Sequence, residues 1–172
     1  MARNAAFEVL YKDYYVRVFG LCRRLLNSSE MAEDAAQETF MRAYRNFRKY
    51  RPEQPFWAWI AAIANHHCID LLRKQSRDPL FGEESTELAE IQAEGAPVVS
   101  SLIAGQQADK LHAAIGGLPA RYRVPLVLAY FSQLSYDEIA VQLQISRNHV
   151  GVLLLRARQQ LREALNQTEA LT

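Results

Sequence analysis

Several things are scarce in this 172-residue chain, and each scarcity removes a class of function. No apolar run approaches the ~20 residues of a membrane span, so no membrane insertion is expected. The opening residues, Met-Ala-Arg-Asn-Ala-Ala-Phe-Glu, lack the apolar centre of a signal peptide, which predicts a cytoplasmic protein. Two cysteines, Cys22 and Cys68, are too few for a disulfide scaffold and suit a reducing compartment. A Gly-rich phosphate loop, a nucleophile–base pairing and a metal cluster with zinc spacing are all missing, so no enzyme, cofactor or metal is expected. Strand-like alternation is missing as well. The fold class read from the sequence is all-α.

What is present is ordinary globular composition, 49% hydrophobic and 23% charged. The net charge of +1 conceals a division along the chain. Residues 1–77 carry 13 Lys/Arg against 8 Asp/Glu, and residues 108–172 carry 7 against 5. Between them, residues 78–107 carry no base and six acids: Asp78, Glu83, Glu84, Glu87, Glu90 and Glu94. Pro79, Gly82, Gly95, Pro97 and Gly105 also fall there. The pattern predicts two small helical domains, 1–77 and 108–172, joined by an acidic flexible linker over 78–107.

In the first domain Phe7, Leu10, Tyr11, Tyr14, Val18, Leu21, Cys22 and Leu25 recur at helical spacing up to about Leu26. Ser29 is read as the cap of a second helix running through Ala35, Phe40, Tyr44 and Phe47, with Asp34, Gln37, Glu38 and Arg42 on its other face. Pro52 and Pro55 make Lys49 to Pro55 a loop. A third helix begins near Phe56 and ends in Arg73, Lys74 and Arg77, where cations suit the helix dipole.

The second domain opens with a short helix from about Gln107 to Ile115 and another after Leu118-Pro119, in which Pro125 predicts a kink. Two capped starts follow in quick succession. Ser135 with Glu138 forms a capping box, and Leu134 with Ile139 a hydrophobic staple. Ser146 is a second N-cap, with Ile145 and Val150 as its staple. Two helices joined by only Gln144 to Ser146 predict a helix-turn-helix, whose second helix would enter a major groove.

Together these segments resemble the extracytoplasmic-function subfamily of the bacterial sigma-70 family of RNA polymerase sigma factors. The resemblance rests on Ala32-Glu33-Asp34-Ala35-Ala36-Gln37-Glu38-Thr39-Phe40, Phe56-Trp57-Ala58-Trp59-Ile60 and Ile69-Asp70-Leu71-Leu72-Arg73 in the first domain. In the second it rests on Leu118-Pro119, Leu134 to Ala140 and Arg156-Ala157-Arg158. It implies a promoter-specificity subunit without catalytic residues of its own. The first domain (sigma region 2) would bind core polymerase and melt the −10 element, and the second (region 4) would read the −35 element.

The resemblance also implies site residues. Asp34, Gln37, Glu38, Phe40, Met41 and Tyr44 would dock on the clamp helices of the largest polymerase subunit, aromatics as anchors and acids as steering charges. Phe40 and Phe47 read equally well as core. Arg48, Lys49, Tyr50, Arg51, Trp57 and His66 would hold the melted strand, with Arg73, Lys74 and Arg77 on duplex phosphates. By spacing Trp59, rather than Trp57, reads as the core tryptophan. Ser146, Arg147, Asn148, His149 and Val152 would read the −35 element, with Arg156 and Arg158 near phosphate. Further implied partners are the flap of the second-largest polymerase subunit and an anti-sigma factor. The acidic linker would occupy the polymerase's cationic RNA channel, so neutralising Glu83, Glu84 and Glu87 should alter abortive synthesis or promoter escape.

Two departures from the family pattern stand out. His66 replaces the family's usual Asn, beside His67 and Cys68. The recognition helix runs Gly151-Val152-Leu153-Leu154-Leu155, where the family has basic or small polar residues. On a helical wheel Val150, Leu153, Leu154, Ala157 and Leu161 share a core face, and Asn148, Val152, Leu155 and Gln159 lie opposite, toward DNA. Two rival readings remain at this point. One is a stand-alone helix-turn-helix regulator, and the other a sigma-like protein-interaction module with weak DNA binding.

Overall fold

The structure, a computed structural model, describes residues 2–77, 79–82 and 106–171. Seven α-helices and one 3-10 turn make up its regular structure, and among the described residues there is no strand. The all-α expectation holds. The chain divides into two compact units, Met1–Gln75 and Ser76–Thr172. The acids expected in the linker, Asp78 and Glu83 to Glu94, lie outside the described residues.

The first unit is a bundle of α1 (Ala2–Leu26), α2 (Ser29–Arg45) and α3 (Phe56–Gln75), each packed on the other two. Val18, Leu21, Cys22 and Leu25 of α1 and Ile60, Ala64, Cys68 and Ile69 of α3 are all buried in its interior. From α2 the buried positions are mostly small, Ala32, Ala35, Ala36, Thr39 and Ala43, which lets the helices approach closely. Thr39 is the one hydroxyl there, and it donates to the Ala35 carbonyl at 2.7 Å.

Helix ends are set by specific residues. Asn27 takes the left-handed conformation (φ 53) to close α1, a role asparagine tolerates. The cap of α2 is Ser28, not Ser29: Ser28 Oγ accepts from the Met31 N–H, whereas Ser29 Oγ accepts from Arg23 Nε at 3.0 Å. The second helix also stops short of Phe47. Asn46 donates both its backbone N–H and its Nδ2 to the Arg42 carbonyl, and Phe47–Lys49 tighten into the 3-10 turn.

The second unit is organised around α7 (Arg147–Ala170), on which α4 (Gln106–Gly116), α5 (Ala120–Tyr130) and α6 (Tyr136–Leu143) all pack. Ser135 Oγ accepts from the Glu138 N–H, and its hydroxyl donates to the Glu138 carboxylate. Ser146 Oγ accepts from the His149 N–H. Between them Gln144 is left-handed (φ 58), with the Ile145 N–H reaching back to the Ala140 carbonyl. That 6→1 bond is the Schellman closure that turns α6 into α7, with Gln standing where glycine is usual. Arg123 is buried and donates to the Leu118 carbonyl at 2.8 Å, and its burial lowers its pKa.

Candidate functional site

Three surfaces carry the residues singled out above. The first lies on α1 and α2. Asp34 and Gln37 are exposed, and Met41 and Tyr44 keep 50% and 40% of their surface open although both are large and apolar. They border a groove of about 430 Å³ lined by Phe7, Tyr11, Gln37, Phe40, Met41, Tyr44 and Arg45. Tyr44 is clasped by the start of α1: its hydroxyl donates to Asn4 Oδ1 at 2.7 Å, and its carbonyl accepts from Arg3 at 2.8 Å. Glu38 pairs with Arg42 at 2.9 Å, and that hydrogen bond holds its carboxyl below the usual range. His67, on the adjoining α3, is pushed down by burial and by Arg42.

Phe40 lies beneath that face rather than open on it. Only 3% of it is exposed, and its ring packs on Phe7, Tyr11 and Tyr15. The physical reason is that α1 carries aromatics opposite it, so Phe40 forms the floor of the groove. Phe7 and Tyr11 belong to the groove and escaped sequence reasoning. Their helical spacing marked them as apolar, but nothing in the pattern distinguishes a buried ring from a half-open one.

The second surface is the loop after α2 with the start of α3. Arg48, Lys49 and Arg51 are exposed, and Tyr50 is half-buried. The Tyr50 ring meets Phe47, Phe56 and Trp59 at 5.3 to 5.9 Å, and its hydroxyl donates to the Gln54 carbonyl at 2.9 Å. Tyr50 therefore shapes the loop and pins its basic neighbours outward. Both tryptophans are half-buried. They differ in partners: Trp59 joins the aromatic cluster, and Trp57 lies beneath the Arg17 guanidinium at 3.9 Å. His66, Lys74 and Arg77 are exposed and Arg73 is half-buried. His66, His67 and Cys68 face three environments, with Cys68 buried against Cys22; its hydrogen bond to Cys22, with burial, pushes the Cys68 thiol up.

The third surface is the helix-turn-helix. Ser146, Arg147 and Asn148 are exposed at the start of α7, where Arg147 lies 3.6 Å from Asp137. Two of the residues expected to face DNA are interior: His149 is 6% exposed and Val152 only 1%. The wheel assumed one packed face, but α7 has three neighbouring helices, and Val150 through Leu154 are all buried. Gly151 is buried in this enclosure, where a Cβ would make only ordinary contact with Tyr136 Cε2 at 3.9 Å.

Arg158 is not aimed at phosphate either. It donates from Nε to Tyr130 Oη at 2.9 Å and from Nη2 to Tyr136 Oη at 3.0 Å, tying α7 to α5 and α6. Burial works against its charge, but those two hydroxyls outweigh it and leave its pKa raised. Arg156 is half-buried.

Comparison with known proteins matches these units. Residues 10–78 match the family Sigma-70 region 2, and residues 108–161 match Sigma-70, region 4. The chain is 33% identical to the ECF RNA polymerase sigma factor SigW of Bacillus subtilis over 91% of this chain and 85% of that one. It is 30% identical to the RNA polymerase sigma-H factor of Pseudomonas aeruginosa over 93% and 86%. Among solved structures it resembles in fold the sigma factor RpoE of Bartonella quintana, crystallised with the anti-sigma factor NepR. The TM-score is 0.60 at 20% identity, covering 94% of this chain and 97% of that one. CnrH, in complex with the cytosolic domain of CnrY, resembles it at TM-score 0.56 and 22% identity, over 95% and 90%. With both family regions matched in order and relatives aligned over nearly its whole length, the chain belongs to the ECF RNA polymerase sigma factors.

Proposed function

We propose that this sigma factor binds core RNA polymerase through the α1–α2 groove, melts promoter DNA on the loop after α2, and reads an upstream element from the start of α7. The observation that carries this reading is the division of exposed residues. The groove offers open apolar side chains, Met41 and Tyr44, beside the exposed Asp34 and Gln37, a combination suited to anchoring and steering a basic partner helix. The loop offers three exposed cations on an aromatic base, the chemistry that retains a single strand. Ser146, Arg147 and Asn148 are the exposed residues at the start of α7 and carry the upstream readout.

In this reading the chain performs no catalysis; the polymerase transfers the nucleotides, and the protein works in the cytoplasm with promoter DNA. No described helix is long and apolar enough to cross a membrane. An anti-sigma factor is the expected regulator, by analogy with the two structural relatives solved with partners. The acidic residues 78–107 serve as the segment that enters the polymerase channel, and residues 1–77 and 108–172 act as the two functional domains.

Burial of Val150 through Leu154 removes the support for a sigma-like protein-interaction module with weak DNA binding. Val152, read as facing DNA, is core, and Leu155 is half-buried. Adding the purified chain to core polymerase tests the whole proposal: a holoenzyme that starts transcription at selected promoters is expected. Absence of association with the polymerase would overturn it.

A further inference from the structure

One exposed cation of the first unit takes no part in any motif. Arg17, on α1, stacks over the Trp57 ring of α3 with its guanidinium carbon 3.9 Å from the ring centre. Arg17 is exposed and Trp57 half-buried, so the indole is the floor and the guanidinium the outer layer. Among the described residues Arg17 makes no hydrogen bond or ion pair, and Asp13, one turn earlier, does not engage it.

A stack of this kind can serve simply to brace two helices. Two observations point further. The indole lies against one side of the guanidinium, and Arg17 as a whole is exposed, so the group stays open to a ligand. The pair also lies next in the chain to a ring series that reaches the basic loop: Tyr14, one turn before Arg17, meets Phe56, the residue before Trp57, at 4.9 Å, and Phe56 meets Tyr50 at 5.4 Å. Through those rings the aromatic ground under Arg48, Lys49 and Arg51 extends onto α1.

We propose that Arg17, backed by Trp57, is a stacking platform for an unpaired base of single-stranded DNA, and that its N–H edge holds the adjoining phosphate. Guanidinium planes stack on bases as aromatic rings do, and the planar fork suits phosphate oxygens. The indole behind it fixes the plane before DNA arrives, so less side-chain freedom is lost on binding. The inference rests on the proposed melting function, because the ligand is the strand that melting releases.

The test uses holoenzyme assembled from the full chain and core polymerase. Affinity is measured for a fork template with an unpaired non-template strand and for the same promoter as duplex, with Arg17→Gln, Arg17→Lys and Trp57→Phe compared to the parent. Loss of one stacked base predicts about tenfold weaker fork binding for Arg17→Gln, with duplex binding unchanged. The slope of log affinity against log salt should fall by about 0.7 for the fork, one phosphate contact on a single strand. Arg17→Lys should keep that slope and lose the affinity, which separates stacking from charge. A mere brace would instead lower the melting temperature of the free chain and leave fork affinity and slope at parental values, and that result overturns the proposal. If the parent holoenzyme fails to assemble or initiate, the melting function fails and this inference falls with it.

Discussion

The two units solve opposite problems with similar helices. The first leaves large apolar and basic side chains in the open, Met41 and Tyr44 on one side and Arg48, Lys49 and Arg51 on the other. It supports them from beneath with aromatic rings. The second buries most of its apolar side chains, Val141 and Leu171 aside, including the middle of its recognition helix, and opens a few polar residues at the start of α7. The difference follows from how each helix is surrounded. Every helix of the first unit has two neighbours, so a wide outer arc stays free. In the second unit α7 has three, and its first turns are left with little surface beyond the N-terminal tip. A bundle of equals presents faces, while a helix at the centre presents an end.

Removing core from the central helix breaks this contrast hardest. Leu154 is fully buried, so Leu154→Ala should destabilise the second unit by about 3 kcal/mol through lost transfer energy and a cavity. Chemical denaturation followed unit by unit should show the first unit unaffected. A shared loss would mean that the two units do not unfold independently.

The next largest effect separates the two arginines of α7. Arg158→Ala leaves two tyrosine hydroxyls without their donor and should cost about 2 kcal/mol of stability. Arg147→Ala removes an exposed pair and should cost below about 1 kcal/mol. Promoter selection should respond in the reverse sense, with Arg147→Ala weakening discrimination at the upstream element in binding to single-base promoter variants. Equal effects of the two substitutions on stability would contradict the assignment of Arg158 to the fold and Arg147 to DNA.

Gln144→Gly sharpens the comparison from the other side. Its left-handed backbone costs a side chain about 1 kcal/mol, part of which glycine gives back through its freer unfolded state. A net gain of roughly 0.5 kcal/mol is expected in thermal unfolding of the second unit. A loss would show that the Gln144 side chain contributes contacts outweighing the strain.

The smallest effect is a pH dependence confined to the first unit. Burial and Arg42 lower the pKa of His67 in the folded protein, so the unfolded chain binds its proton more readily. The contribution is complete above the unfolded value of about 6.5 and is lost as pH falls through it toward the lowered folded value. Replacing His67 with Gln should flatten that part of the stability curve; an unchanged curve would exclude His67 as its source.

Much of the fold was legible because its signals are local. Ser135 and Ser146 each place a side-chain oxygen on an N–H three residues on, and that geometry depends on little beyond its own turn. Where two serines compete, locality is not enough. Ser28 and Ser29 are both good caps, and Asn27, left-handed at the end of α1, gives the place to Ser28 while Arg23 occupies Ser29. The candidate site was less legible for the same reason. Tyr50, Phe40 and Arg158 were read by residue type and Val152 by a helical wheel, and their placement depends on rings and helices distant in sequence.

By itself the sequence determined the helix periods, the caps, the two proline-marked breaks and the motif order that marks a sigma factor, since each depends on residues within a few turns of one another. Only the tertiary structure decided which apolar residues stay open and which arginines are free to meet a ligand. Exposure is a property of a helix's neighbours, and a wheel drawn for one helix cannot count them. Arg158 and Arg17 show this most plainly: one is held by two tyrosines from other helices, and the other is set over a tryptophan by the packing of α1 against α3.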